Sequence, residues 1–489
     1  MAVSKKIDII CVVITVITLI LTVLFINGRS FGVEASSPSE ETAEDDGHFT
    51  SSDVKTQAST EDATVITLDG DSATVTGNGA YYANNKLTIA YKGTYVLKGT
   101  LNGQIEVDAD GDDKVWLILE GLSVNCQDSA ALYIKKADKV FVNLVEGTTN
   151  SFESGSTYSA SAEKDGIDGA IYSKEDLTIN GTGSLSVTGK YAHGLVCNDT
   201  LKITGGNIDI TTKADGIHAN DAVYLKEADI TIEAADDGIT VSNSENEGDF
   251  YMASGKVAIS GAYEGIEAVN ILIDGGDITI SSSDDGFNAT ATTQGGGVTI
   301  NGGTVDIINT GGRDSDGIDS NMDITINGGN IFVSIPTDGN ALDDGSESGG
   351  KIVINGGNVI ACGGAMMTQA PDGSGGQCAF MYSVEGKAGD SLELKDSEGN
   401  VLFTKEIPNA FTVVTVSTPK LKTGETYKLS CGSNTYEITL TDTVTSNVQG
   451  GGFRGGGGFP GGGGSQKGSG GTGRGNRENF MMPTQPANQ

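Results

Sequence analysis

The chain has 489 residues, 72 of them glycine, with 19% charged residues and a formal net charge of −35. Residues 1–33 carry +2 and residues 450–489 carry +3, so residues 34–449 hold −40. A body this acidic excludes nucleic acid as a partner. It suits multivalent cations, or ligands that are neutral or bridged by cations.

Lys5 and Lys6 precede an apolar run from Ile7 to Ile26, interrupted by Asp8 and a few threonines. The run is long enough to cross a membrane and long for a signal-peptide core. Lysines on its N-terminal side place that end inside and the body outside. Residues 1–33 are therefore read as a membrane anchor, with cleavage near Val33-Glu34-Ala35 and secretion as the alternative. Residues 34–62 are rich in Ser, Thr and acid and read as a disordered spacer, with His48 solvated.

Residues 63–374 read as one β domain. Its first part, 63–165, alternates as strands do but follows the later repeat loosely, as a capping portion should. Trp116 lies in the apolar run Val115–Leu119 and is expected in the core. Residues 150–165 read as a surface loop. From 166 to 362 a repeat takes over. Its mark is an acid-glycine-apolar step: Asp215-Gly216-Ile217, Asp237-Gly238-Ile239, Glu264-Gly265-Ile266, Asp285-Gly286-Phe287 and Asp316-Gly317-Ile318. An earlier copy is His193-Gly194-Leu195 and a later one Asp338-Gly339-Asn340. The gaps between glycines are 22, 22, 27, 21, 31 and 22 residues, so the period is 22 with loop insertions.

Each step is followed by apolar residues two apart: Leu201 and Ile203 with Ile208 and Ile210, then Val223 and Leu225 with Ile230 and Ile232. Period two marks strands with one buried face, and β-branched residues suit that face. Short strands repeating every 22 residues predict a parallel β-helix, each coil stacked on the last. Residues 375–445 read as a small antiparallel β module. Residues 446–489 are glycine-rich and read as a flexible tail.

The cysteines form no CxxC pair, which excludes a zinc ribbon or redox motif. Cys362 and Cys378 either pair across a glycine-rich loop or stay as buried thiols.

Stacking brings the pre-glycine acids into a column at one-coil intervals, about 4.8 Å. Bare carboxylates at that spacing repel by about 3.5 kcal/mol per pair at an effective dielectric of 20. They project into water, take up protons, or share cations. Calcium takes six to eight hard oxygens, which paired acids and turn carbonyls can supply. The candidate ligands are Asp215, Asp236, Asp237, Glu264, Asp284, Asp285 and Asp316. The competing reading is turn chemistry alone, with Asp opening the turn and Gly taking a positive φ. Arg313, beside Asp314, Asp316 and Asp319, is the candidate base should the scaffold catalyse β-elimination; an ion pair is the simpler role. His193 and His218 fall in adjoining coils, and no nucleophile motif is present.

The segments KGTYVLKGTLNGQIEVDA and DLTINGTGSLSVTG, with YAHGL and the DGI steps, resemble a clostridial-type family of extracellular carbohydrate-binding β-helix proteins. That family is similar in fold to polysaccharide lyases. The resemblance spans roughly residues 63–362. It implies an all-β fold, a right-handed single-stranded parallel β-helix, with bound calcium (Ca2+). It also implies binding of cellulose and of acidic polysaccharide such as polygalacturonate, without demonstrated catalysis. Only the Asp-Gly steps carry over residue by residue. Ala214 and Tyr263 stand where other coils have a second acid. The expectation is a calcium-bound, surface-tethered binder of plant-type polysaccharide (cellulose or pectin). The alternatives are a uronate-polymer lyase using Arg313, and an adhesin or spacer for a protein partner.

Overall fold

The computed structural model describes residues 47–243, 247–311, 315–345, 348–366 and 368–448. The expected anchor (1–33), the first part of the spacer, Arg313 and nearly all of the tail lie outside these residues. Among the described residues, no helix is long and apolar enough to cross a membrane.

The all-β expectation holds. From residue 169 to 363 each repeat supplies three strands, and each strand pairs in parallel with its equivalent one repeat later. The shortest strands run His193–Cys197, Ile217–Ala219, Ile239–Val241, Ile266–Ala268, Phe287–Ala289, Ile318–Ser320 and Leu342–Asp344, joined in that order in a twelve-stranded sheet. We call this the short ladder. The second ladder includes Asp176–Gly181, Thr200–Ile203, Ala222–Leu225 and Asp249–Met252, and the third includes Ser184–Gly189, Asn207–Thr212 and Ala228–Glu233.

Alternation sets which side chains point in. Leu201, Val223, Phe250, Ile271 and Val298 lie in register one repeat apart, each at most 1% exposed. Ile208, Ile230, Val257 and Ile278 stand in register likewise in the third ladder, each at most 2% exposed. Each such side chain contributes about 1.5–3 kcal/mol by leaving water. Like residues stack on like, so the core is one continuous row per strand position.

The step glycines do not take a positive φ, which corrects the turn-chemistry reading. They are glycine because the next coil is too close. A Cβ on Gly216 would lie 2.4 Å from Ile232 Cγ2 and 2.6 Å from the Gly238 carbonyl oxygen.

Residues 47–62 are not a solvated spacer. They form a strap along the outer face of the second ladder. Outward residues there stand in register as Trp116, Phe141, Thr178, Lys202, Tyr224 and Tyr251. Lys55 lies over the Trp116 ring, and Trp116 stacks on Phe141 at 4.1 Å, so Trp116 belongs to this outer face and not to the inner core. His48, expected in water, stacks on Tyr251 at 4.1 Å, and Phe49 is buried. Between these ends sits Asp53, fully buried, 2.8 Å from Lys139 Nζ and 3.4 Å from Lys202 Nζ, and accepting from Thr178 Oγ1 at 2.8 Å. Burial opposes this charge, but the Lys139 partner and the hydrogen bonds hold the carboxyl well below its ordinary range.

Asp53→Ala removes the carboxylate partner of two largely buried ammonium groups, a loss of about 3–5 kcal/mol for a buried pair. The strap is expected to release, and limited trypsin digestion should cut at Lys55 at least tenfold faster. Unchanged digestion would show that the strap is held without this pair. Because the folded carboxyl is depressed, its contribution is present above the ordinary carboxylate range and is lost as pH falls.

Residues 150–165, read as a surface loop, contain the strand Thr149–Ser154 in the third ladder and a short helix, Ala160–Lys164. At the far end, Phe411–Ser417 pairs antiparallel with the third-ladder strand Asn358–Gly363 and with Ala379–Gly386. Behind it, strands Val401–Ile407, Asp390–Lys395, Thr426–Cys431 and Asn434–Thr439 form a four-stranded antiparallel sheet with its own core. Cys362 and Cys378 do not pair: both are free thiols, Cys362 buried.

Candidate functional site

The short ladder positions the acids. In each acid-glycine-apolar-X segment the apolar residue points inward, while the acid and X lie on the outer side. This gives two adjacent columns. The backbone of the acid column is knitted coil to coil: Gly216 N donates to the Asp237 carbonyl at 2.9 Å, Gly238 N to Glu264 at 2.9 Å, and Gly265 N to Asp285 at 2.9 Å. The side chains add a second ladder. Asp237 N donates to Asp215 Oδ1 (3.3 Å), Glu264 N to Asp237 Oδ1 (3.1 Å), and Asp316 N to Asp285 Oδ1 (2.7 Å). An acid is thus used where asparagine could serve, since one oxygen is committed to the next backbone N–H and the other remains available.

The last member of the column is Asn340, not Asp338. Asn340 N donates to Asp316 Oδ1 at 2.7 Å, Gly317 N donates to the Asn340 carbonyl at 2.8 Å, and Leu342 lies opposite Ile318. The Asp338-Gly339 pair makes a turn instead, with Gly339 N donating to Pro336 O at 3.1 Å.

The second column runs His218, Thr240, Glu267, Asn288, Asp319 and Asp343, in register one coil apart. Together the columns place ligand-type atoms within 4.8 Å of one another in four groups: His193, Asp215 and His218; Asp215, Asp236 and Asp237; Asp237, Glu264 and Glu267; and Asp316, Asp319 and Asp343. Five of the seven expected ligands therefore converge. Among the described residues, Asp284 and Asp285 join none of these groups. Glu267 and Asp343 went unnoticed in the sequence. The signal was there, since both sit three residues beyond the column position and share its outward face.

Electrostatics divides the column. Asp215 is buried, which opposes its charge, yet the His193 and His218 rings beside it (3.2 and 2.9 Å between Nδ1 and Oδ2) hold its carboxyl below the ordinary range. For its neighbours, burial and nearby carboxylates raise the carboxyls instead. Burial, then the Asp215 charge, pushes Asp237 to about 7. Burial, then Glu267 and Asp237, pushes Glu264 to about 8. Burial, then Asp319, takes Asp285 to about 9. Burial raises Asp316 to about 7 and Asp319 to about 6, with Asp343 adding to both. Beside the Asp316 group, the Asn340 side chain donates to Asp343 Oδ2 at 3.4 Å, while its buried Oδ1 has no hydrogen-bond partner among the described residues. A buried carbonyl oxygen without a donor, next to three carboxylates, is the environment a hard divalent cation completes. Arg313 lies outside the described residues, so the alternative base has no geometry to weigh.

An all-β repeat protein whose outer face carries carboxylates in register is the class that fold and site define. The match to carbohydrate-binding domain-containing proteins covers residues 83–339, and the chain belongs to that family. A carbohydrate-binding domain-containing protein of Acetivibrio thermocellus is 34% identical over 148 residues, which are 30% of this chain and 52% of the relative. The chain spans about half the length of that relative. A solved structure described as the polysaccharide lyase-like protein from C. thermocellum, a gadolinium derivative, is 28% identical, with a TM-score of 0.46 over 50% of this chain and 97% of that one.

Proposed function

We propose that the protein is a non-catalytic polysaccharide-binding protein that holds calcium along the short ladder. In this reading its coils turn as a right-handed parallel β-helix. Its ligands are plant-type polymers, cellulose or an acidic polymer such as polygalacturonate. It works outside the cell, held to the membrane by residues 1–33 or released by cleavage there. One observation carries the reading: buried and half-buried carboxylates clustered along the ladder, with Asp237, Glu264 and Glu267 in one group and Asp316, Asp319 and Asp343 in another. Family membership supports the carbohydrate partner. Calcium would neutralise these groups and could bridge outward to uronate carboxylates.

The test is binding of the full chain to polygalacturonate and to cellulose, with calcium and then with chelator, read also for ultraviolet-absorbing unsaturated product. Binding without product, and loss of polygalacturonate binding on chelation, is expected. Product would replace this reading with a lyase, and binding to neither polymer would point to a protein partner. Glu267→Gln should weaken calcium binding about tenfold, since one charged oxygen ligand is lost.

A further inference from the structure

We infer that the N-terminal end of the short ladder carries a separate binding cleft for a neutral, linear glycan; this rests on the carbohydrate-binding reading above. The cleft measures about 810 Å³, within the range that holds a small oligosaccharide. Its floor is an outward row of the ladder, with Thr88, Glu106 and Tyr133 in register on successive strands. This row continues through Tyr172 and Val196 to His218, so the cleft and the acid columns lie along one ladder face.

Three features fit the cleft to a sugar. Its rim carries Tyr81, 57% exposed, one of few large aromatic side chains left in water. An exposed ring beside a polar cleft is a stacking platform for the apolar face of a pyranose. Its walls are rich in amides, with Asn84, Asn85, Gln104 and Gln127 all lining it. Amides both donate and accept, as vicinal hydroxyls require. Asn84 and Asn85 are fixed at the tip of a hairpin, both with φ in the left-handed region (52° and 57°). The third feature is Tyr133. Its side chain is 3% exposed and lines the cleft, and its buried hydroxyl has no hydrogen-bond partner among the described residues. A glycan hydroxyl, directly or through a bridging water, supplies that partner.

Charge selects between neutral and acidic chains. Glu106, Asp128 and Asp165 line the cleft against one cation, Lys86, which is already paired with Glu106 at 2.9 Å. A uronate would meet excess negative charge here, whereas a neutral glucan would not. The cleft therefore takes the neutral polymer and the acid columns take the cation-bridged one.

The experiment titrates the full chain with cello-oligosaccharide, and separately with oligogalacturonate plus calcium, by calorimetry. Tyr81→Ala should weaken cello-oligosaccharide binding about tenfold and Tyr133→Phe about fivefold, with oligogalacturonate binding unchanged. Tyr133→Phe should not lower thermal stability, because the hydroxyl it removes has no protein partner. Tyr91→Ala, an equally exposed ring outside the cleft lining, serves as the control. Full cello-oligosaccharide affinity in both cleft variants would overturn the inference and leave the carbohydrate-binding reading intact. Failure of the wild-type chain to bind either glycan would overturn both.

Discussion

Gly238→Ala is expected to cost about 3 kcal/mol, the upper part of the range for overpacking a close-packed interior. The added Cβ would sit 2.5 Å from Ile259 Cγ2 and 2.6 Å from the Gly265 carbonyl oxygen. The isoleucine can turn only by vacating its stacked row. The carbonyl cannot turn at all, because it belongs to the next coil's backbone and accepts from Ile239 N at 3.1 Å. The strain therefore opens the ladder between two coils. It also pulls apart the Glu264 N to Asp237 Oδ1 bond that knits the acid column. Gly373→Ala is the matched control: a Cβ there meets nothing within 4 Å, and the change should stay within about 0.5 kcal/mol. Urea unfolding of the two variants decides it. If Gly238→Ala matches wild type, the coils are less tightly apposed than described.

Chelated protein should be most stable near pH 5 and lose stability steadily as pH rises towards 9. The sign follows from the acid column. Asp237, Glu264, Asp285 and Asp316 have folded values raised to about 7, 8, 9 and 7 by burial and neighbouring carboxylates. A raised carboxyl favours the folded state fully below the ordinary carboxylate range. That advantage is lost as pH climbs through the folded values, where the fold must carry charge it would rather protonate. Asp53 and Asp215 act oppositely: both are held below the ordinary range, so both lose their contribution only in acid. The two trends leave an optimum between them. Calcium should erase the alkaline loss, since a bound cation lets the same carboxylates ionise in place, and at a hundredfold excess over Kd it adds about 2.7 kcal/mol. Melting curves at pH 5 and pH 9, with chelator and with calcium, provide the measurement. Equal melting temperatures in chelator would show that the column is bathed in water and needs no ion.

The repeat was legible because its two signals are local. Alternation at Ile208 and Ile210, or Ile230 and Ile232, needs no partner to be seen, and the pairings carry those residues into register. The glycine step was also legible, but its reason was not. An acid-glycine pair means a turn in isolation, and only the neighbouring coil reveals the close approach. The same ambiguity displaced the final step onto Asp338-Gly339, where the pair really is a turn after Pro336, while the register falls on Asn340 and Leu342. The second column escaped notice because its members are chemically mixed, His, Thr, Glu, Asn, Asp and Asp, and share only a direction. The strap escaped notice for a different reason. Average composition describes 34–62 as polar, yet docking rests on three buried residues, Phe49, Asp53 and Ala58, and on partners far away in sequence.

The antiparallel strand at the end of the third ladder has a further meaning. A parallel stack ends in a row of unsatisfied backbone groups that would accept another identical strand. Here Phe411–Ser417 runs the opposite way across Asn358–Gly363, and at the other end Ser72–Thr76 does the same to Thr64–Gly70, a strand that begins the second and third ladders together. The third ladder is stopped by strands that do not share the repeat. Its length is therefore set by the number of repeats between those strands, in increments of about 4.8 Å. Duplicating one 22-residue unit would lengthen this ruler by a single graduation and leave both of those stops in place.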